Sequence, residues 1–234
     1  MVHRLRTPAP RWEASRAYWN SAYLKRLGFR PQTVIDIGVG KGTPELYRAF
    51  PDAFLVLVEP LQEFAAAARR VLARRAGVLA QVALGRVKES RTIYIQSRWT
   101  ERSSLYARTA VERNEDCARS RTVPVTTLDG LDDEHGFAAP IGLKIDAEGG
   151  ELDIICGAAG VLRKTDFVIA EVNVMKRFEG SYTFAEFIAA MDGAGFGVAD
   201  VLDIGRLQTS EVMYLDLVFV RNTASSRFCV RESS

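Results

Sequence analysis

The chain has 234 residues, 47% hydrophobic and 26% charged, a composition that suits one soluble globular domain able to bury a core without disulfide or metal staples. Thirty-one basic against 29 acidic residues leave a formal net charge of +2, too balanced to make nucleic acid the expected partner. No apolar run approaches the ~20 residues that span a bilayer, no secretory core follows the basic start, and the three cysteines, Cys117, Cys156 and Cys229, fit reduced thiols in a cytoplasmic setting.

In chain order, Trp12, Tyr18, Trp19, Tyr23, Leu24 and Leu27 are spaced for an amphipathic helix ended by Gly28 and Pro31. This segment, residues 1–30, can act as a lid, although aromatic stripes more often pack into a core. Strand and helix then alternate: strands over 33–37 and 54–59, a short helix over 43–50, and a helix over 61–76 with Phe64, Ala68, Val71 and Leu72 on one face and Gly77 at its end. A strand over 78–84 precedes a polar insertion, residues 86–133, with strand-like pieces at 92–96 and 122–127. Beyond it come a strand over 141–147, a helix over 151–163, a strand over 167–172, a helix around Phe184, Phe187, Ile188 and Met191, and strands over 197–202 and 214–220. Residues 223–234 read as a tail. The alternation predicts an α/β domain over 31–222, with a mainly parallel sheet, helices on both faces and ligands at the carboxyl ends of the strands.

The turn between the first strand and helix reads Asp36-Ile37-Gly38-Val39-Gly40-Lys41-Gly42, three glycines that let the backbone approach a ligand. It is not a phosphate-gripping P-loop, because Ile35 occupies the first glycine position and Gly42 stands where Ser or Thr should follow Lys41. A dinucleotide fingerprint fits poorly, since its third glycine should fall at Thr43. Glu59, before Pro60, lies about twenty residues on, the position from which a carboxylate accepts both hydroxyls of an adenosine ribose. Asp36 adds a negative charge suited to an ammonium or sulfonium group, and S-adenosylmethionine carries both.

A second constellation occupies the strand over 141–147. Lys144 and Asp146 lie two apart and share one face of a strand that should be buried on both sides, so they are expected to pair or to reach a ligand. Glu171 and Asn173 repeat the pattern on the next strand. Glu148 and Glu151 read as acidic residues favourable in the first turn of a helix.

With these residues the chain resembles the FkbM family of S-adenosylmethionine-dependent methyltransferases over residues 34–173. The resemblance rests on Asp36 to Gly42, Glu59-Pro60, Ala83-Leu84-Gly85, Ser103-Ser104-Leu105, residues 123–131, Glu171-Val172-Asn173 and, most specifically, Leu143-Lys144-Ile145-Asp146-Ala147-Glu148-Gly149-Gly150-Glu151. Val39 replaces a common alanine, and Gly150 stands for another small residue. The resemblance implies a seven-stranded Rossmann-like fold whose last strand is antiparallel. It also implies methylation of hydroxyls on sugars, polyketides or related natural products. Asp36, Gly38, Gly40, Gly42, Glu59, Pro60, Leu84, Ser104 and Asp146 are then the expected cofactor contacts.

An alcohol must lose its proton as it attacks, so Asp146 is expected as general base, with Lys144, Glu171 and Asn173 orienting the acceptor or tuning the base. His135 is the competing base, Trp99, Ser103, Ser104 and Tyr106 a candidate wall of the acceptor pocket. Mg²⁺ on Asp146, Glu171 and Asn173 ranks below the metal-free reading. The partner expected is a small hydroxylated molecule, with homo-oligomers left open. The rival classes are a nicotinamide-dependent oxidoreductase and a non-catalytic cofactor-binding protein.

Overall fold

The computed structural model describes residues 20–109, 119–207 and 209–222. Strands β1 (Thr33–Ile37), β2 (Phe54–Val58), β3 (Gly77–Ala80), β4 (Ala83–Leu84), β5 (Glu89–Ile95), β6 (Arg119–Thr126), β7 (Ile141–Ile145), β8 (Thr165–Asn173), β9 (Phe196–Arg206) and β10 (Val212–Arg221) follow one another along the chain. Between them lie helices α1 (Ser21–Arg26), α2 (Pro44–Ala49), α3 (Gln62–Leu72), α4 (Leu128–His135), α5 (Glu151–Cys156), α6 (Ala159–Arg163) and α7 (Phe184–Gly193).

Seven strands form one sheet in the order β3-β2-β1-β7-β8-β10-β9, in which β10 alone runs against its neighbours β8 and β9. Every residue of β1 and β7 is buried, which explains their near-continuous apolar sequence. Alternate side chains feed two cores. Ile35, Ile37, Val56, Leu143 and Val168 pack with α4 to α7 on one face. Val34, Leu55, Leu57, Phe167 and Ile169 pack with α1 and α2 on the other. By the same alternation Asp36, Lys144 and Glu171 belong to the second face. Strand register puts Asp36 beside Lys144 and Glu171 beside Asp216.

The described residues of the insertion carry more regular structure than its polarity suggests. β4, β6 and β5 form a second sheet, whose Ile93, Ile95, Val123 and Val125 pack on Leu61 and Phe64. The single strand expected over 78–84 is therefore two: β3 pairs with β2, and the chain then leaves that edge so that β4 can pair with β6. Gly77 opens β3 rather than closing the preceding helix, which ends at Leu72. The polar run after β6 contains α4, capped by the Thr127 hydroxyl on the Gly130 N–H and closed by left-handed Gly136.

The one helix expected over 151–163 is broken. The Asp129 carboxylate accepts the Gly160 and Val161 N–H groups at 2.8 Å each, capping a fresh helix, α6. Tyr23, Leu24 and Leu27 of the expected N-terminal helix are buried on the second face. Trp12, Tyr18 and Trp19, with the lid reading built on them, lie outside the described residues, as does the tail 223–234. No helix among the described residues is long and apolar enough to cross a membrane.

Candidate active site

The glycine loop leaves β1 at the carboxyl edge of the sheet and is held from two sides. The Gly38 N–H donates to the Val58 carbonyl at 3.0 Å, and the Gly42 N–H to Val39 at 2.6 Å. Gly38 has φ +74°, and a Cβ there would stand 1.7 Å from the Asp146 carbonyl, so neither the conformation nor the space admits a side chain. Glu59, buried at the end of β2, accepts the Gly40 N–H through Oε2 at 2.8 Å and the Leu61 N–H through Oε1 at 2.9 Å. Burial pushes its carboxyl up, opposed by those two N–H groups and by Lys144.

Below the loop lies a cleft with two lobes. The first has apolar walls from Val58, Pro60, Leu61, Phe64, Leu84 and Ile154, with Glu59 in its lining. The second is polar: Lys144, Asp146, Glu148 and Glu171 line it together with the loop residues Lys41 to Glu45. Gly38, Gly40, Glu101, Asp146 and Glu148 line both, so the lobes adjoin.

Between the lobes the chain after β7 is clamped. The Asp146 N–H donates to the Ile37 carbonyl at 3.1 Å. Glu151 turns back under the loop and accepts the N–H groups of Ala147 and Gly149 and the Tyr182 hydroxyl at 2.8–3.1 Å. It is fully buried, and burial pushes its carboxyl up to about 7, against the pull of those donors. The expectation of an ordinary first-turn acid is corrected here: Glu151 is a structural clamp. Glu148 adopts φ +47°, unusual for a residue with a side chain, and Ser104 donates to its carbonyl at 2.5 Å.

Lys144 sits at the charged centre. Its ammonium lies 3.2 Å from Asp146, 3.4 Å from Asp36 and 3.3 Å from the Gly38 carbonyl. Burial alone would lower its pKa, but Asp146 and Asp36 outweigh that and hold it above the usual lysine range, so it stays charged. Glu171 is pushed well above the ordinary carboxylate range by burial and by Asp146 and Glu148, against the pull of Arg177.

Of the expected cofactor contacts, Gly38, Gly40, Glu59, Pro60, Leu84 and Asp146 line the first lobe, and Gly42 lines the second. Two are corrected. Asp36 is fully buried and lines neither lobe. Its Oδ2 accepts the Tyr47 hydroxyl at 2.5 Å and, among the described residues, its Oδ1 faces the Lys144 ammonium, so its charge acts through the lysine. Ser104 is spent on Glu148, while its neighbour Ser103 lines the lobe.

Of the expected catalytic group, Lys144, Asp146 and Glu171 meet in the second lobe, whereas Asn173 turns away. Its side chain meets Tyr182 at 3.3 Å and Arg177 at 3.0 Å. His135 ends α4 beside Glu134 and lines neither lobe. Trp99 is half exposed outside the linings, and the Tyr106 hydroxyl is bound to Asp153.

Sequence reasoning missed Glu148 as a site residue and the arginines that hold it, Arg177 at 3.0 Å and Arg108 at 3.2 Å. Carboxylate oxygens of Asp146, Glu148 and Glu171 come within 4.8 Å of one another. This cluster does not support the Mg²⁺ variant, because Arg177, Arg108 and Lys144 already neutralise it and Asn173 points elsewhere.

The first lobe fits an adenosyl group: apolar walls for the base, a buried carboxylate at the ribose position, and a glycine backbone pressed flat beside it. The family model described as the methyltransferase FkbM domain matches residues 36–198, most of the chain. The chain belongs to the FkbM methyltransferase family.

It is accordingly an S-adenosylmethionine-dependent methyltransferase, and the nicotinamide and non-catalytic readings fall away. No curated protein matches it. Similar solved structures include a putative O-methyltransferase from Klebsiella pneumoniae (14% identity, 93% of this chain and 83% of that one, TM-score 0.47). Others are a putative tRNA (m1A22) methyltransferase from Streptococcus pneumoniae in complex with S-adenosyl-L-methionine (12%, 92% and 73%, 0.46), and magnesium protoporphyrin IX methyltransferase from Synechocystis PCC 6803 with bound S-adenosylmethionine (10%, 90% and 79%, 0.45).

Proposed function

We propose that this FkbM methyltransferase is an O-methyltransferase acting on a hydroxyl of a sugar, polyketide or related natural product. The observation that carries the reading is the polar lobe adjoining the apolar one, with Asp146 lining both. When bound, S-adenosylmethionine supplies a methyl group already activated on sulfonium. The chain's own work is positioning and removal of one proton.

The apolar lobe, with Glu59 and the glycine backbone, holds the adenosyl group. The polar lobe receives the acceptor. Lys144, fixed in its charged form, engages Oδ2 of Asp146, so Oδ1 is the atom assigned to the hydroxyl proton. The ion pair and the Asp146 N–H bond to Ile37 keep that carboxylate in place. We place the protein in the cytoplasm on its cysteine usage, which cell fractionation tests.

The deciding experiment incubates the full chain with S-adenosylmethionine and a panel of glycosides, polyketide alcohols and phenols, with matched amines and thiols. S-adenosylhomocysteine formation and product mass are followed. Methyl ethers as products support the reading, and transfer confined to nitrogen, sulfur or carbon overturns it.

A further inference from the structure

Arg177 follows β8 in the chain and has the largest side chain buried this completely among the described residues. Its guanidinium reaches Glu171 at 2.7 Å and the Asn173 side-chain oxygen at 3.0 Å through Nη1, and Glu148 at 3.0 Å through Nη2. The rings of Phe178 and Tyr214 each lie 5.2 Å from it, which fixes its plane. It lines neither lobe.

Three carboxylates this close repel one another unless cations or shared protons intervene. Two of them are held from behind. Their side chains are 10% and 13% exposed, for Glu148 and Glu171, against 37% for Asp146.

We propose that Arg177 is a positioning residue of the methyl-transfer site: its fork locks Glu148 and Glu171 as a fixed pair, which leaves Asp146 as the carboxylate presented to the acceptor. The assignment rests on the hydroxyl-methylation reading and deepens it. Glutamate alone at positions 148 and 171 does not explain the arrangement, because without a forked cation between them each must find its own partner. Of the three clustered carboxylates, Arg108 and Arg102 on the insertion pair with Glu148 among the described residues, at 3.2 and 4.0 Å. From the sheet, Lys144 on β7 and Asp216 and Tyr214 on β10 face the cluster, and Asp216 adds further negative charge beside Glu171. Among the interactions that govern Glu171, Arg177 is the cation that lowers its pKa.

The test uses the full chain with two variants. Arg177→Gln removes the charge, and Arg177→Lys keeps a charge but loses the fork. Carboxyl ¹³C NMR of glutamate-labelled protein, with Glu171 assigned by its disappearance in Glu171→Gln, reads the cluster directly without any turnover. In Arg177→Gln the Glu171 midpoint should rise by at least about one pH unit and kcat should fall about tenfold or more. Affinity for S-adenosylhomocysteine should stay within about threefold, because Arg177 does not touch the apolar lobe.

In Arg177→Lys the midpoint should stay within about half a unit of wild type while kcat still falls by about threefold or more. An unmoved Glu171 midpoint in Arg177→Gln, or a loss of S-adenosylhomocysteine binding in proportion to kcat, overturns the assignment. Should Arg177→Gln fail to fold, wild-type kcat in Arg177→Lys overturns it alone. If wild-type protein methylates no hydroxyl, the functional reading fails, while the NMR titration still decides whether Arg177 locks the pair.

Discussion

Among the described residues, Oδ1 of Asp36 has no hydrogen-bond partner and faces the Lys144 ammonium at 3.4 Å, with the aspartate wholly buried. The pair is a product of register, since β1 and β7 set these two residues side by side on the same face of the sheet. Such a pair is costly to break from one side, because the charge left behind is still out of water. Asp36→Asn should therefore lower the unfolding free energy by about 3 kcal/mol, measured by urea denaturation. S-adenosylhomocysteine affinity of the folded variant should change by less than about threefold, since Asp36 lines neither lobe. A large loss of affinity with unchanged stability would restore the direct cofactor contact expected from sequence.

Gly38 is where the two halves of the site touch. Any Cβ there would drive into the Asp146 carbonyl, at a φ of +74° that already disfavours a side chain. Gly38→Ala should displace the glycine loop from the strand end that carries Asp146 and reduce S-adenosylhomocysteine affinity by about tenfold or more in calorimetry. Wild-type affinity in a soluble Gly38→Ala protein would mean that the loop can shift without disturbing the apolar lobe.

Glu151 gives the protein a pH-dependent stability whose sign can be worked out. Its folded-state pKa, about 7, lies above the unfolded value of 4.5 because the carboxylate is buried. The protonated form is therefore favoured by folding. The stability it contributes is present below about pH 4.5 and is lost as pH rises through about 7, amounting to about 3 kcal/mol in all. Glu151→Gln keeps the shape and can still accept the Ala147 and Gly149 N–H groups. Its stability measured by urea unfolding between pH 5 and 8 should lose the part of the wild-type decline that this carboxyl causes. An unchanged slope in the variant would assign that decline to other groups.

The glycine loop, Glu59 and the pairing of Lys144 with Asp146 were legible because their chemistry is local: glycines at alternate positions, an acid at a strand end, two charges on one face of an apolar strand. Asp36 was misplaced for the opposite reason. Whether it met a ligand or Lys144 depended on the register of β1 against β7, which no local spacing carries. Arg177 and Arg108 lie 29 and 40 residues from Glu148, and in sequence both look like surface charges. The one available signal was the need of Glu171, at the end of an apolar strand, for a counter-charge. Helix α4 escaped notice because only Leu128 and Leu131 of its eight residues are buried. The break between α5 and α6 is made by Asp129, a residue from a different helix.

Asp146 carries the sharpest prediction. It lines both lobes, it is the most exposed of the three clustered carboxylates, and Lys144 occupies one of its oxygens. Asp146→Asn is nearly isosteric and keeps an oxygen for Lys144, so the fold and the clamp on Ile37 should survive. What it removes is the capacity to take a proton. kcat should fall by about 10²- to 10⁴-fold, the usual worth of a positioned base, with KM for the acceptor changed far less. Raising the pH should recover part of the rate as hydroxide replaces the missing base. Full turnover in Asp146→Asn would move the base to another group, and Glu171, whose pKa burial and its acidic neighbours raise, would be the next to replace.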